Sequence, residues 1–164
     1  MNRGITLLEV VVIVAVVGIM AAIFLPLDRT AGAGRQRLAC ANHLKQLHAM
    51  GHIYASLHRG RWPEETGAAF WTTFQRMNPP LLESDLNEIY FCPILAQPGD
   101  LGQTDYRGPA SNVNPGTADD PIGADKIGNH GEGYGGNVLR KAGDVQELDR
   151  DDPLWGLCRT RLSP

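Results

Sequence analysis

Ile5-Thr6-Leu7-Leu8-Glu9-Val10-Val11-Val12-Ile13-Val14-Ala15-Val16-Val17-Gly18-Ile19-Met20-Ala21-Ala22-Ile23-Phe24-Leu25-Pro26-Leu27 carries one charged residue, Glu9. At a rise of about 1.5 Å per residue a helix over 5–27 reaches roughly 35 Å, which predicts a span of a hydrocarbon core about 30 Å thick. The segment also fits a secretory signal peptide, with Arg3 as its basic flank and Val10 to Leu25 as the apolar stretch, but Glu9 sits badly there. An acidic residue at the start of an apolar run points to a function. Thr6-Leu7-Leu8-Glu9 equally fits a capping box, in which Glu9 would satisfy backbone donors of the first turn.

Outward from this segment the chain is ordinary. It has 164 residues with 15 Lys+Arg, 18 Asp+Glu and a net charge of −3, room for one domain. So small an acidic excess speaks against nucleic acid as the primary ligand. Three cysteines permit one disulfide and leave a thiol over. After Asp28 an amphipathic pattern begins, with Cys40, Leu44, Leu47, Gly51 and Tyr54 on one stripe, and predicts a helix from about Arg35 to His58. Pro26 need only kink a helix, so one long helix is expected over 5–59, with an apolar half (5–27) and an amphipathic half (28–59). A head domain follows over 60–164. In it the sequence predicts a short helix within Thr66 to Met77, a strand over Glu88 to Cys92, and a strand near Tyr106. A terminal hairpin of Asn137–Arg140 and Val145–Leu148 is expected to turn at Ala142-Gly143. The glycine-rich stretch from Gly99 to Gly143 reads as mostly loop, with Gly116 to Gly136 as a partner-facing part.

Gly4-Ile5-Thr6-Leu7-Leu8-Glu9-Val10 resembles the class III prepilin signal of type IV pilins and type II secretion pseudopilins. The likeness runs over about 23 residues, as a judgement of pattern. It implies residues 1–4 as a leader, cleavage after Gly4 by a prepilin peptidase, and N-methylation of Ile5. It also implies that Glu9 pairs with the terminal amine of a neighbouring subunit, and that Gly18 and Pro26 loosen the helix. The implied fold is α+β and pilin-like, a long helix packed on a small antiparallel sheet. The implied setting is the bacterial inner membrane, single-pass, with lipid bilayer, assembly platform and other pilin subunits as partners. The head resembles a prepilin-like family abundant in planctomycetes, through Cys40-Ala41-Asn42-His43-Leu44-Lys45-Gln46-Leu47, Trp62-Pro63, Phe91-Cys92-Pro93, Ala124-Asp125-Lys126, Asn129-His130-Gly131 and Gly136-Asn137-Val138-Leu139. Ala142 stands where that family has aspartate.

The expected function is therefore a structural subunit of a pilus or secretion pseudopilus, with a minor or tip subunit acting as a binding module as the alternative. A secreted or anchored domain with an ordinary signal is the third reading. Gly123-Ala124-Asp125 and Gly131-Glu132-Gly133 echo the calcium loop of the major pseudopilin, and Asp119, Asp120 and Asp125 are suited in type to calcium. A solvated acidic loop is the competing expectation. Gly131-Glu132-Gly133-Tyr134-Gly135-Gly136 satisfies a dinucleotide fingerprint, but the hairpin expected after it denies the helix that fingerprint needs. His48 and His52 share a helix face without the further ligands that a metal requires. Cys40 lies on the apolar stripe, so a disulfide is assigned to Cys92 and Cys158. His130 has no supporting spacing to either of these, and no catalytic constellation is found. An enzyme is not expected.

Overall fold

The computed structural model describes residues 7–24, 29–81, 84–95, 102–131 and 133–163. The chain divides into two compact units, 1–33 and 34–164. Gly4, Ile5 and Pro26 lie outside the described residues.

In the first unit α1 (Leu7–Phe24) is an 18-residue helix with apolar side chains on every side. α2 covers Arg29–Leu57, and residues 25–28, over which the expected continuous helix would join the two, lie outside the described residues. Arg29, Arg35 and Arg37 make the start of α2 too polar to lengthen the apolar run. Among the described residues no helix is long and apolar enough to cross a membrane. The transmembrane half of the expected helix, and the single-pass inner-membrane location and bilayer contact drawn from it, are corrected accordingly.

The second unit is built around the predicted stripe of α2. Cys40, Leu44, Leu47 and Gly51 are buried, with Tyr54 half-buried beside them, because positions three and four apart share one helix face. Against this stripe pack Phe70, Trp71 and Phe74 of α3 (Ala68–Arg76), their rings meeting edge to face. An antiparallel sheet completes the core. Its strands are β1 (Tyr106–Pro109), β2 (Pro121–Asp125), β3 (Gly136–Arg140), β4 (Val145–Leu148) and β5 (Leu162–Ser163), in the order β4-β3-β2-β1-β5.

Alternation along the central strands divides the core in two. Ile122 and Leu139 join the cluster of α2 and α3, while Ala124 and Val138 join a second cluster with Leu148, Trp155, Cys158 and Leu162. The second cluster is closed by α4 (Pro153–Arg161). Asp152 caps α4, its carboxylate accepting from the Leu154 amide at 2.8 Å, and Pro153 occupies the first turn, where no amide partner is needed.

Two expectations change here. The stretch Glu88 to Cys92 is not a strand; a 3-10 helix covers Ser84–Tyr90. Much of it is β-forming, but it does not pair in register with a strand of the sheet. The segment bonds instead through side chains and single amides: Asp105 donates its amide to the Tyr90 carbonyl, and the Cys92 amide donates to an Asp105 carboxylate oxygen at 3.0 Å. The glycine-rich stretch, expected as loop, contains β2 at the middle of the sheet, so part of the expected partner-facing loop is interior. Gly123 is required there by close approach, because a Cβ would stand 2.6 Å from Cζ2 of Trp71. The predicted hairpin is present as β3 and β4, and Gly143 takes the left-handed conformation at φ 95° in its turn.

Candidate functional site

Two places in the molecule carry chemistry, the surface of α1 and a polar cluster inside the head. On α1, Leu7 is 83% exposed and Val14 65%, and residues 7–20 are exposed throughout, Glu9 among them in the first turn. Gly18 has open space around its Cβ position. A helix apolar on all sides belongs in an interior, whether of a large protein or of an assembly.

The head cluster forms where α2, the segment after the 3-10 helix and the β2–β3 connection meet. Cys40 on α2 and Cys92 bring their Sγ atoms to 2.8 Å, both side chains buried. Beside them His130 donates from Nε2 to Asp125 Oδ2 at 2.7 Å, with 1% of the histidine side chain and none of the aspartate exposed. The same Oδ2 accepts from the Asn137 amide at 2.8 Å and from Asn137 Nδ2 at 2.9 Å. Asn137 Nδ2 also donates to the Arg37 carbonyl at 3.0 Å, which ties this network to α2. Tyr106 donates its hydroxyl to the Phe91 carbonyl at 3.3 Å, and His43 Nδ1 lies 3.0 Å from the same oxygen. His130 Nδ1 and Asp125 Oδ1 are buried without a hydrogen-bond partner.

Electrostatics distinguishes the two thiols. Contact with Cys40 lowers the Cys92 thiol below the ordinary range, whereas contact with Cys92, together with burial, raises Cys40. For His130 burial works against the imidazolium, but the bond and charge of Asp125 outweigh it and raise its affinity for a proton. Burial raises Cys158 to about 11.

The expected disulfide partners are not brought together. Cys92 lies in the α2 cluster beside Cys40, while Cys158 lies in the α4 cluster across the sheet, and all three are free thiols. The assignment of Cys92 with Cys158 is corrected for that reason. Sequence reasoning missed the cluster of Cys40, Cys92 and His130 because its members are remote along the chain. Among the described residues these three form the group in which one ligand atom of each lies within 4.8 Å of the others.

The three aspartates suited to calcium do not converge either. Asp119 faces Arg140 at 3.5 Å, Asp120 pairs with Arg161 at 2.7 Å and accepts the Thr117 amide at 2.7 Å, and Asp125 is inside the head. That amide bond and the nearby Arg161 hold Asp120 below the ordinary carboxylate range. These residues do not fit a calcium site. The neighbouring loop is held by a different cation, the Lys141 ammonium, which donates to the carbonyls of Val113 at 2.8 Å, Asn114 at 3.2 Å and Gly116 at 2.7 Å. Calcium is expected to leave the melting temperature unchanged. Lys141→Met removes a charged donor from three carbonyls and should destabilise the head by about 1.5–3 kcal/mol, measured by denaturant unfolding.

The remaining motifs have structural roles. His48 Nε2 lies 3.0 Å from the Lys141 carbonyl, and burial lowers its proton affinity; its ring meets those of His52 and Trp62. The glycine fingerprint over 131–136 leads into β3 rather than a helix, so no dinucleotide-type helix terminus is formed. Tyr134 within it lies under Arg37, whose guanidinium carbon is 4.1 Å from the ring centre. No family model matches this chain, and neither a curated protein nor a solved structure matches it.

Proposed function

We propose that this chain is a structural subunit of a pilin-like filament, with α1 supplying the shared core and the head of α2, α3, α4 and the sheet facing outward. The observation that carries this reading is the apolar surface of α1, exposed on all sides along residues 7–20. Full burial of one Val, Leu or Ile side chain is worth about 1.5–3 kcal/mol, so identical helices gathered in a bundle gain strongly from covering one another. The order of residues from Gly4 to Val10 supports the same reading, because a prepilin-type processing site there would precede α1 in the sequence. A prepilin peptidase would cut after Gly4, and Ile5 would become the methylated terminus. Glu9, in the first turn of α1, would then meet the terminal amine of an axially staggered neighbour, which favours one register over others.

Mass spectrometry of the mature amino terminus tests this directly. N-methylated Ile5 is the expected first residue. An intact Met1, or cleavage near Ala21-Ala22, contradicts the proposal.

A further inference from the structure

We propose that Cys40, Cys92 and His130 form a binding site for a thiophilic divalent metal ion of the zinc class inside the head domain, with Asp125 as the residue that orients the histidine. The site is independent of α1 and of the filament reading.

The ligand atoms are already gathered. One ring nitrogen of His130 and the two Sγ atoms lie within 4.8 Å of one another. Nε2 of His130 is committed to Asp125 Oδ2, which leaves Nδ1 as the nitrogen with a free lone pair, and Nδ1 is buried without a partner. A buried nitrogen left in this state is destabilising unless something binds it. An aspartate on the far nitrogen of a ligating histidine is the usual outer-shell arrangement, fixing the tautomer and making the ligating nitrogen more basic. Here Asp125 is itself held by two donations from Asn137, so the ring is positioned from behind.

The donor set selects the ion. Two thiolates and an imidazole suit zinc, and disfavour calcium or magnesium, which take oxygen ligands. A bound cation would stabilise both thiolates. Each thiol loses its proton to solvent on binding, and no electron is transferred. The sulfurs at 2.8 Å would have to part to roughly 3.7 Å, the spacing that Zn–S bonds of about 2.3 Å impose in a tetrahedron. Water would take the fourth position. The three ligands come from α2, from the segment after the 3-10 helix and from the β2–β3 connection, so the ion would join parts of the head that are distant in the chain.

The test uses the full chain, purified with all thiols reduced and titrated with cobalt(II) and then zinc(II). One equivalent of cobalt with thiolate-to-cobalt charge-transfer absorption, displaced by zinc, is the expected result. Cys92→Ser and His130→Asn should each remove that signature, while Cys158→Ser leaves it intact. Asp125→Asn should weaken binding by roughly 10–100-fold. Should a variant fail to fold, the wild-type titration still decides. Fully reduced wild type that binds no cobalt through thiolate overturns the proposal, as does a signature that survives His130→Asn. Recovery of a Cys40–Cys92 disulfide as the sole form from cells whose thiols were blocked before lysis also overturns it.

Discussion

Val14→Glu is expected to abolish filament assembly while leaving the head domain folded. Val14 stands midway along α1, 65% exposed in the single chain. In a bundle of such helices it would be covered by neighbours, and the substituted carboxylate would be buried without the paired amine that Glu9 is proposed to meet. Removing a charge from water without a partner is destabilising by several kcal/mol. Even about 3 kcal/mol at one subunit contact lowers association roughly 100-fold, and the loss recurs at every copy added. Val14→Leu should assemble normally, since it keeps the apolar surface. Sedimentation of sheared filaments measures assembly, and circular dichroism of the same preparations shows whether the head is intact. Normal filament yield from Val14→Glu would remove α1 from the filament core.

Trp71→Ala is expected to bring the head close to unfolding. Trp71 is fully buried between Phe70, Phe74 and the backbone of β2 at Gly123, and its Nε1 donates to the Arg107 carbonyl at 2.9 Å. Truncating a buried tryptophan to alanine removes apolar contact and leaves a cavity, a loss of about 3–5 kcal/mol. The Arg107 carbonyl also loses this donor. Against a total stability of about 5–15 kcal/mol this is a large fraction, and the melting temperature should fall by about 10 °C or more. Trp71→Phe keeps much of the ring volume and should fall by less, the remaining loss reporting the hydrogen bond. Equal losses from both substitutions would place the whole loss in what phenylalanine also lacks, the Nε1 bond and the outer ring over Gly123.

What could be read in the sequence follows from where each element gets its stability. The stripe from Cys40 to Tyr54 was legible because α2 buries one face only, which imposes a helical period on the residues. The β3–β4 hairpin was legible because its turn needs a residue at positive φ and Gly143 supplies it. β2 was not, since Pro121-Ile122-Gly123-Ala124-Asp125 contains one strong strand former. It is a strand because its neighbours pair with it and because Trp71 needs the space above a glycine. The 3-10 helix was misread for the opposite reason: its strand-forming residues do not join the sheet, and tertiary context overrides propensity. α4 was missed, although Asp152-Pro153, a cap followed by a first-turn proline, carried a signal for its start. Tertiary placement decides the Cys40, Cys92 and His130 cluster. Cys40 and Cys92 are 52 residues apart, with no local spacing to connect them, and only the meeting of α2 with the segment after the 3-10 helix does so.

The reading of α1 is the one the structure revised most. Its apolar character stands, but among the described residues no helix is long and apolar enough to cross a membrane, and we propose that its surface meets other copies of itself. Photo-cross-linking from an unnatural residue at Val14, in cells that make the full chain, measures what covers that surface. The account predicts a ladder of adducts at successive multiples of this chain. Label transferred only to lipid, or to one unrelated protein with no multiples of the chain, would contradict it.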